Sequence, residues 1–230
     1  MQVSIVGDEG DDDAGFVGER LEAHGAELRR FWRDDLGAHR GVIEGTDLLV
    51  LLGSDRAVHD EAERQVVATE QALVRSAESR GLPILAICYG AQLVAATLGA
   101  TVAPAPAPEI GWTTLASADE RRCPSGPWFQ FHFDRFGEIP GIALLASTPA
   151  APQAFVHGRT FAYQFHPEVT AATAREWLVA DAARIASLGM DPEAIAAETV
   201  ALEPAARRAC HQLVDEFLSA VAGVAPLPAR

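Results

Sequence analysis

Two short apolar runs, each followed by a turn and a helical pattern, constrain the fold of this chain more than any other feature. Residues 47–53 and 84–87 are almost continuously apolar, which is typical of strands that are covered on both faces of a sheet. A long helical segment, 60–79, lies between them, and another, 92–98, follows. Because strands that alternate with helices form parallel βαβ units, the pattern predicts an α/β fold with an open, mostly parallel sheet flanked by helices.

The second half of the chain changes in character. An alternation of alanine and proline over 103–108 predicts an extended connection. Short strands with turns are predicted from there to residue 165, and helices follow, the last two at 192–200 and 204–221.

The length and the apolar content predict one domain. A chain of 230 residues with 49% apolar residues is long enough to bury one full core. We expect residues 1–188 to form this domain and residues 189–230 to be a helical extension packed on it.

The charge of the chain excludes several functions. It has 18 Lys or Arg and 32 Asp or Glu residues, a formal net charge of −14, and no lysine at all. The missing lysine excludes a Schiff base, a pyridoxal-phosphate anchor and the phosphate-binding lysine of a P-loop. The acidic balance argues against nucleic acid, whose phosphates need a cationic surface, and against an anionic membrane. We therefore expect neither partner.

The three cysteines, Cys88, Cys123 and Cys210, are too few and odd in number for a disulfide framework. The first residues lack a signal-peptide pattern, and no run reaches the roughly 18 apolar residues that span a bilayer. We expect a cytoplasmic protein.

An acidic loop at 8–13 precedes a helical segment, where carboxylates commonly cap the helix; a metal site is the alternative. We predict neither a metal nor a cofactor.

Cys88 stands directly after the second apolar strand, in the segment AICYGAQ. A sharp turn from a strand into a helix lifts a nucleophilic side chain out of the sheet. The positive end of the helix dipole stabilises a thiolate there. A buried thiol with a structural role is the alternative. The position makes Cys88 a candidate nucleophile.

Two further segments carry groups that suit nucleophilic chemistry. His166 and Glu168 are two apart, so on an extended segment they project to the same side. A carboxylate beside an imidazole fixes its tautomer and stabilises its charged form. Gly53 and Ser54 follow the first apolar strand, and their N–H groups, with that of Tyr89, can stabilise an oxyanion. Taken singly, each pattern also fits an ordinary strand end.

Together these segments resemble the class I (triad) glutamine amidotransferase family, with most similarity to the glutaminase domains of GMP synthase and their stand-alone relatives. Cys-Tyr-Gly-x-Gln at 88–92 and Gln-Phe-His-Pro-Glu at 164–168 carry the resemblance. Shorter family elements match at four other places, namely 53–60, 109–112, 131–134 and 153–155. The resemblance covers residues 3 to 178 and implies a flavodoxin-like open sheet.

The resemblance also implies a mechanism. Cys88, His166 and Glu168 would form a triad that hydrolyses the side-chain amide of glutamine through a γ-glutamyl thioester. The backbone N–H of Tyr89, with that of Gly53 or Ser54, would hold the oxyanion.

Substrate and partner follow from the same resemblance. Gln92 and the segment around His132 and Asp134 would bind glutamine. The ammonia would pass to a separate synthetase or acceptor-binding subunit, or to an acceptor that this chain itself binds. Since the chain has no P-loop lysine, we expect nucleotide activation to belong to another polypeptide.

Three positions depart from the family pattern, which has glycine where this chain has Ser54, Ala86 and Phe133. A non-catalytic regulatory or binding subunit with the same fold is therefore one alternative. Hydrolysis of another γ-glutamyl compound is a second, because the same triad serves both reactions. The presence of all three triad residues favours an enzyme.

Overall fold

The computed structural model describes residues 1–37 and 39–227. Strands and helices alternate in the first half, strands dominate the middle, and helices end the chain. The strands are β1 (Gln2–Gly7), β2 (Glu27–Trp32), β3 (Leu48–Leu51), β4 (Ile84–Ile87), β5 (Val102–Thr113), β6 (Ala116–Ser117), β7 (Trp128–Phe136), β8 (Leu144–Ser147), β9 (Pro152–His157) and β10 (Thr160–Tyr163). The α-helices are α1 (Gly15–Ala23), α2 (His39–Ile43), α3 (Arg64–Ser79), α4 (Tyr89–Thr97), α5 (Ala171–Ala180), α6 (Ala182–Ser187) and α7 (Pro192–Ala222).

Eight strands form one sheet in the order β2-β1-β3-β4-β10-β9-β8-β6. The first five run parallel and the last three pair antiparallel. In β3, Leu48 and Val50 join the core beneath α1 and α7, whereas Leu49 and Leu51 join the core beneath α2, α3 and α4. This alternation shows a strand covered on both faces. The predicted open, mostly parallel α/β sheet is confirmed.

Two predictions about local structure are wrong. The proline-rich segment 103–108 belongs to β5, which pairs antiparallel with β7 in a separate two-stranded sheet. Its register breaks between Pro104 and Glu109, as expected where prolines offer no N–H to a ladder. The two helices predicted at 192–200 and 204–221 are one helix, because α7 continues through Pro204. The lost hydrogen bond would fall on the carbonyl of Val200, which lies at an exposed position.

The C-terminal helix α7 contributes side chains such as Leu213 and Phe217 to the core shared with α1 and the sheet. This packing supports the proposal that residues 189–230 are an extension of the same domain. Among residues 1–37 and 39–227, no helix combines the length and apolar character needed to cross a bilayer.

The junction of β4 and α4 is a tightly constrained turn. Cys88 has φ 50° and ψ −110°, and it is the only described non-glycine residue with a positive φ. Two residues later, Gly90 lies so close to β3 that a Cβ there would be 2.4 Å from the carbonyl oxygen of Leu51. The helix therefore begins at Tyr89, three residues earlier than predicted, and the turn permits no longer connection.

The conformation of Cys88 should be measurable as strain. A non-glycine residue in this region of φ and ψ destabilises the folded state by about 1–3 kcal/mol. Glycine relieves this strain, but its greater freedom in the unfolded state lowers stability by about 0.4–1 kcal/mol. We expect Cys88→Gly to exceed Cys88→Ala in free energy of unfolding by about 1 kcal/mol. Urea denaturation of the two variants measures the difference. A less stable glycine variant would contradict the strained turn.

Candidate active site

The carboxyl ends of the central parallel strands bring the predicted site residues together. Cys88 follows β4, Gly53 follows β3 and His166 follows β10, and these three strands are neighbours in the sheet. A Cβ on Gly53 would lie 3.0 Å from Cε1 of His166 and 3.6 Å from Cβ of Cys88. Gly53 therefore allows the backbone to approach both side chains, which a larger residue would push apart.

His166 and Glu168 form a buried, directed pair. Nδ1 of His166 donates to Oε1 of Glu168 over 2.7 Å and both residues are 4% exposed. Nε2 of His166 is buried and has no hydrogen-bond partner among the described residues. Since Nδ1 is occupied by the carboxylate, Nε2 is the nitrogen that is available for proton transfer.

The backbone on either side holds this pair in place. The N–H of His166 donates to the carbonyl of Phe129 at 2.8 Å, and the N–H of Phe16 donates to the carbonyl of Glu168 at 2.9 Å. Gly15 packs directly on that carbonyl, where a Cβ would lie 2.0 Å from the oxygen. The indole of Trp177 lies against the imidazole of His166, with 4.8 Å between ring centroids. The N-terminus of α1 and α5 thus fix the imidazole and carboxylate.

The charges around His166 decide its protonation. Burial lowers the pKa of the imidazole, but the negative charges of Glu168 and Cys88 raise it, and the pKa lies well above the ordinary 6.5. The imidazolium is therefore the favoured form at neutral pH, and it faces the sulfur of Cys88.

The sulfur of Cys88 has a further polar neighbour. Nε2 of Gln164 donates to Sγ of Cys88 at 3.7 Å, and Oε1 of Gln164 accepts from Nε2 of Gln92 at 3.2 Å. Gln92 also donates to the carbonyl of Asp134 at 3.2 Å. Gln92 therefore reaches the sulfur through Gln164. Gln164 lies in the same motif as His166, but its contact with the sulfur was not predicted from the sequence.

Both predicted substrate residues on β7 line the cavity, but the side chain of His132 is fully buried. The ring of His132 is buried, with Nδ1 3.0 Å from the carbonyl of Asp134 and Nε2 3.1 Å from Oε1 of Gln130. Oε2 of Glu109 lies 3.3 Å from the same Nε2. The carboxylate of Asp134 lines the cavity and lies 3.1 Å from Nε2 of His59.

A buried charged network, which the sequence did not predict, holds the loop after β3. Arg33 is 2% exposed. It donates to the carbonyl of Leu52 at 2.6 Å and to Oε1 of Glu70 at 3.0 Å. The hydroxyl of Tyr89 donates to Oε2 of Glu70 at 2.7 Å, and the guanidinium of Arg33 lies 4.9 Å above the Tyr89 ring. Glu70 therefore ties the loop after β3 to the first residue of α4.

Ser54 fits its position without strain, because its φ is not positive. Its hydroxyl donates to Oδ2 of Asp8 at 2.5 Å and accepts from the N–H of Arg56 at 3.1 Å. The departure from glycine at this position therefore adds contacts to the loop.

Tyr89 is the first residue of α4, where N–H groups have no acceptor within the helix. The predicted oxyanion donors flank Cys88 on two elements.

A cavity of about 780 Å³ opens over these residues. The acidic loop contributes to it, but its carboxylates have other partners: Asp8 lies 3.3 Å from Arg33, Asp11 accepts from the indole N–H of Trp177, and Asp13 accepts from the N–H of Gly15. Burial raises the pKa of Asp11. In the described ranges, His, Cys, Asp and Glu residues form no group of three or more that could hold a metal ion.

Comparison with known proteins agrees with this architecture. The family model for glutamine amidotransferase class-I matches residues 20–185. GMP synthase [glutamine-hydrolyzing] from Bordetella avium is 31% identical over 155 residues, which covers 60% of this chain and 28% of that protein. GMP synthase [glutamine-hydrolyzing] from Aeropyrum pernix is 33% identical over 159 residues, which covers 59% of this chain and 29% of that protein. The chain thus matches less than a third of the length of these relatives.

Solved structures show the same fold. A glutamine amidotransferase from Thermotoga maritima superimposes with a TM-score of 0.82 at 23% identity, covering 95% of this chain and 98% of that one. A glutamine amidotransferase from Methylobacillus flagellatus superimposes with a TM-score of 0.81 at 18% identity, covering 100% of this chain and 97% of that one. The family model runs from within α1 to within α6 and includes both motif-bearing turns. The chain therefore belongs to the class I glutamine amidotransferase family.

Proposed function

We propose that this protein hydrolyses the side-chain amide of glutamine and supplies the ammonia to an acceptor. One observation carries the proposal: Cys88 lies in a strained strand-to-helix turn beside His166, whose Nδ1 is bound to Glu168 and whose Nε2 has no partner among the described residues. Amides are poor electrophiles, so an activated thiol, a proton donor and oxyanion donors must act together. Family membership supports the same chemistry.

In the first half-reaction, Sγ of Cys88 attacks the amide carbon of glutamine. The oxyanion that forms accepts hydrogen bonds from the N–H of Tyr89 and from that of Gly53 or Ser54. His166 donates its Nε2 proton to the amide nitrogen, the C–N bond breaks, and ammonia leaves. A γ-glutamyl thioester remains on Cys88.

In the second half-reaction, His166 takes a proton from water through Nε2 and the hydroxide attacks the thioester carbon. The C–S bond breaks, and glutamate leaves with the thiolate and imidazolium restored. Glu168 holds the imidazole and stabilises its charged form in both halves.

We propose that a synthetase consumes the ammonia. The curated relatives are named GMP synthase [glutamine-hydrolyzing], and this chain matches only 28–29% of their length. All three cysteines are free and buried, which supports a reducing, cytoplasmic setting for a thiol enzyme.

Hydrolysis of a larger γ-glutamyl amide is a second candidate function, favoured by the size of the cavity. About 780 Å³ lies within the range of roughly 300–1,000 Å³ that accommodates drug-sized ligands and exceeds what one free amino acid fills. A panel of γ-glutamyl amides assayed beside glutamine separates the two functions by their kcat/KM values.

We predict that Cys88→Ala lowers glutamate release from glutamine by at least about 10³-fold, because no other group in the site can form the thioester. Cys123→Ala is the matched control, since Cys123 is fully buried and its pKa is raised to about 12 by burial. Glutamate and ammonia are measured with and without an ATP-dependent synthetase. Full activity of Cys88→Ala would overturn the mechanism; an inactive wild type under all conditions would favour a non-catalytic subunit.

The buried imidazolium predicts a pH dependence of stability. The folded-state pKa of His166 lies above its unfolded value of about 6.5, so the folded protein binds this proton more tightly. Its contribution to stability is complete below pH 6.5 and is lost as the pH rises through the folded-state pKa. We expect Glu168→Gln to reduce this loss, because the charge that raises the pKa is gone. Urea unfolding from pH 6 to 10 tests the difference, and identical profiles would contradict it.

A further inference from the structure

The cavity contains one arginine whose charge is unused. Its lining includes two arginines, Arg56 and Arg184, and nine Asp or Glu residues. Arg56 lies 2.9 Å from Asp34, 2.5 Å from Glu63 and 3.4 Å from Asp8. Arg184 has no carboxylate within 4.0 Å and no side-chain hydrogen bond in the described part of the chain. Only Arg184 can therefore offer a full positive charge to a ligand.

From this we propose that Arg184 binds the α-carboxylate of the γ-glutamyl substrate and sets the specificity for it. The inference rests on the proposed function, because it concerns the same substrate. A guanidinium matches a carboxylate with two parallel N–H donors, and such a contact strengthens binding without taking part in the reaction at the amide.

The position of Arg184 is fixed by a residue that departs from the family pattern. The Arg184 guanidinium carbon lies 3.2 Å from the ring centroid of Phe133, in the arrangement of a cation–π contact. Glycine, the usual family residue at position 133, would offer no ring to support it. Phe133 is therefore a second determinant of the same specificity.

A wall of aromatic rings connects this arginine to the catalytic imidazole. Phe133 contacts Phe131 at 6.3 Å, Phe131 contacts Trp177 at 5.7 Å, and Trp177 contacts His166 at 4.8 Å between centroids. The carbonyl of Phe131 lies 4.0 Å from Sγ of Cys88. The wall begins beside the sulfur and ends at Arg184, so a ligand lying along it has one end at the nucleophile and the other at the cation.

The remaining charges of the cavity favour a zwitterionic ligand. An excess of carboxylates repels a phosphate or another polyanion, and it attracts an ammonium group. Asp134 follows Phe133 directly and points its carboxylate into the cavity. An α-amino acid carries one carboxylate and one ammonium, which Arg184 and Asp134 complement.

The experiment compares three substrates in the wild type, Arg184→Gln and Arg184→Lys. The substrates are L-glutamine, 4-carbamoylbutanoate (which lacks the α-amino group) and 4-aminobutanamide (which lacks the α-carboxylate). In Arg184→Gln we expect kcat/KM to fall about 10- to 100-fold for the two carboxylate-bearing substrates, through KM. It should stay unchanged for 4-aminobutanamide. Arg184→Lys should recover part of the loss.

Two control variants complete the design. Arg175→Gln removes another exposed arginine, one that does not line the cavity, and should change no substrate's kinetics. Phe133→Leu keeps an apolar side chain but removes the ring, so it should raise KM for glutamine by a smaller factor than Arg184→Gln.

The outcomes separate the two proposals. If Arg184→Gln lowers kcat/KM equally for all three substrates, or for none of them, the role of Arg184 is overturned. The proposed function still stands in that case, provided that the wild type hydrolyses glutamine. If the wild type hydrolyses none of them, the proposed function fails, and calorimetric binding of L-glutamine to the wild type and Arg184→Gln still tests the arginine. Equal affinities, or no binding at all, would overturn it.

Discussion

The rest of the site depends on one backbone constraint, the positive φ of Cys88 between β4 and α4. The contact of Gly90 with Leu51 leaves no room for a wider turn, so the strand passes into the helix within one residue. This turn lifts the thiol out of the sheet at the carboxyl ends of the strands, where the loops after β3 and β10 begin. Local strain at Cys88 is thus tolerated because the surrounding packing determines the turn.

Two buried charged groups keep the other elements in register with that turn. Arg33 and Glu70 connect the loop after β3 to Tyr89, and Glu168 holds the imidazole of His166. In each case, removing one partner would leave an unpaired charge in a region that excludes water. This destabilises the protein more than breaking an exposed ion pair does. The geometry of the site therefore depends on polar networks that lie behind it and do not face the cavity.

The sequence predicted those features whose cause is local. Continuous apolar runs indicated the covered strands, the turn after the second of them indicated Cys88 as a nucleophile, and the family resemblance implied that His166 and Glu168 join it. The continuous helix α7 and the pairing of the proline-rich part of β5 could not be predicted, because both depend on partners distant in the chain that override weak local preferences. The contact of Arg184 with Phe133 is of the same kind, since 51 positions separate them.

By itself, the sequence determined the alternation of strands and helices in the first half of the chain, the acidic charge and the residue types of the candidate site, since these follow from composition and short-range periodicity. Only the tertiary structure decided which polar groups face the cavity and which are used internally. His132 and Gln92 line the cavity but their side chains hydrogen-bond to neighbouring protein groups, and Arg56 is paired with carboxylates while Arg184 is not. The reason is physical: hydrogen bonding and charge pairing are settled by distances of about 3 Å between residues far apart in the chain, which no short-range pattern encodes.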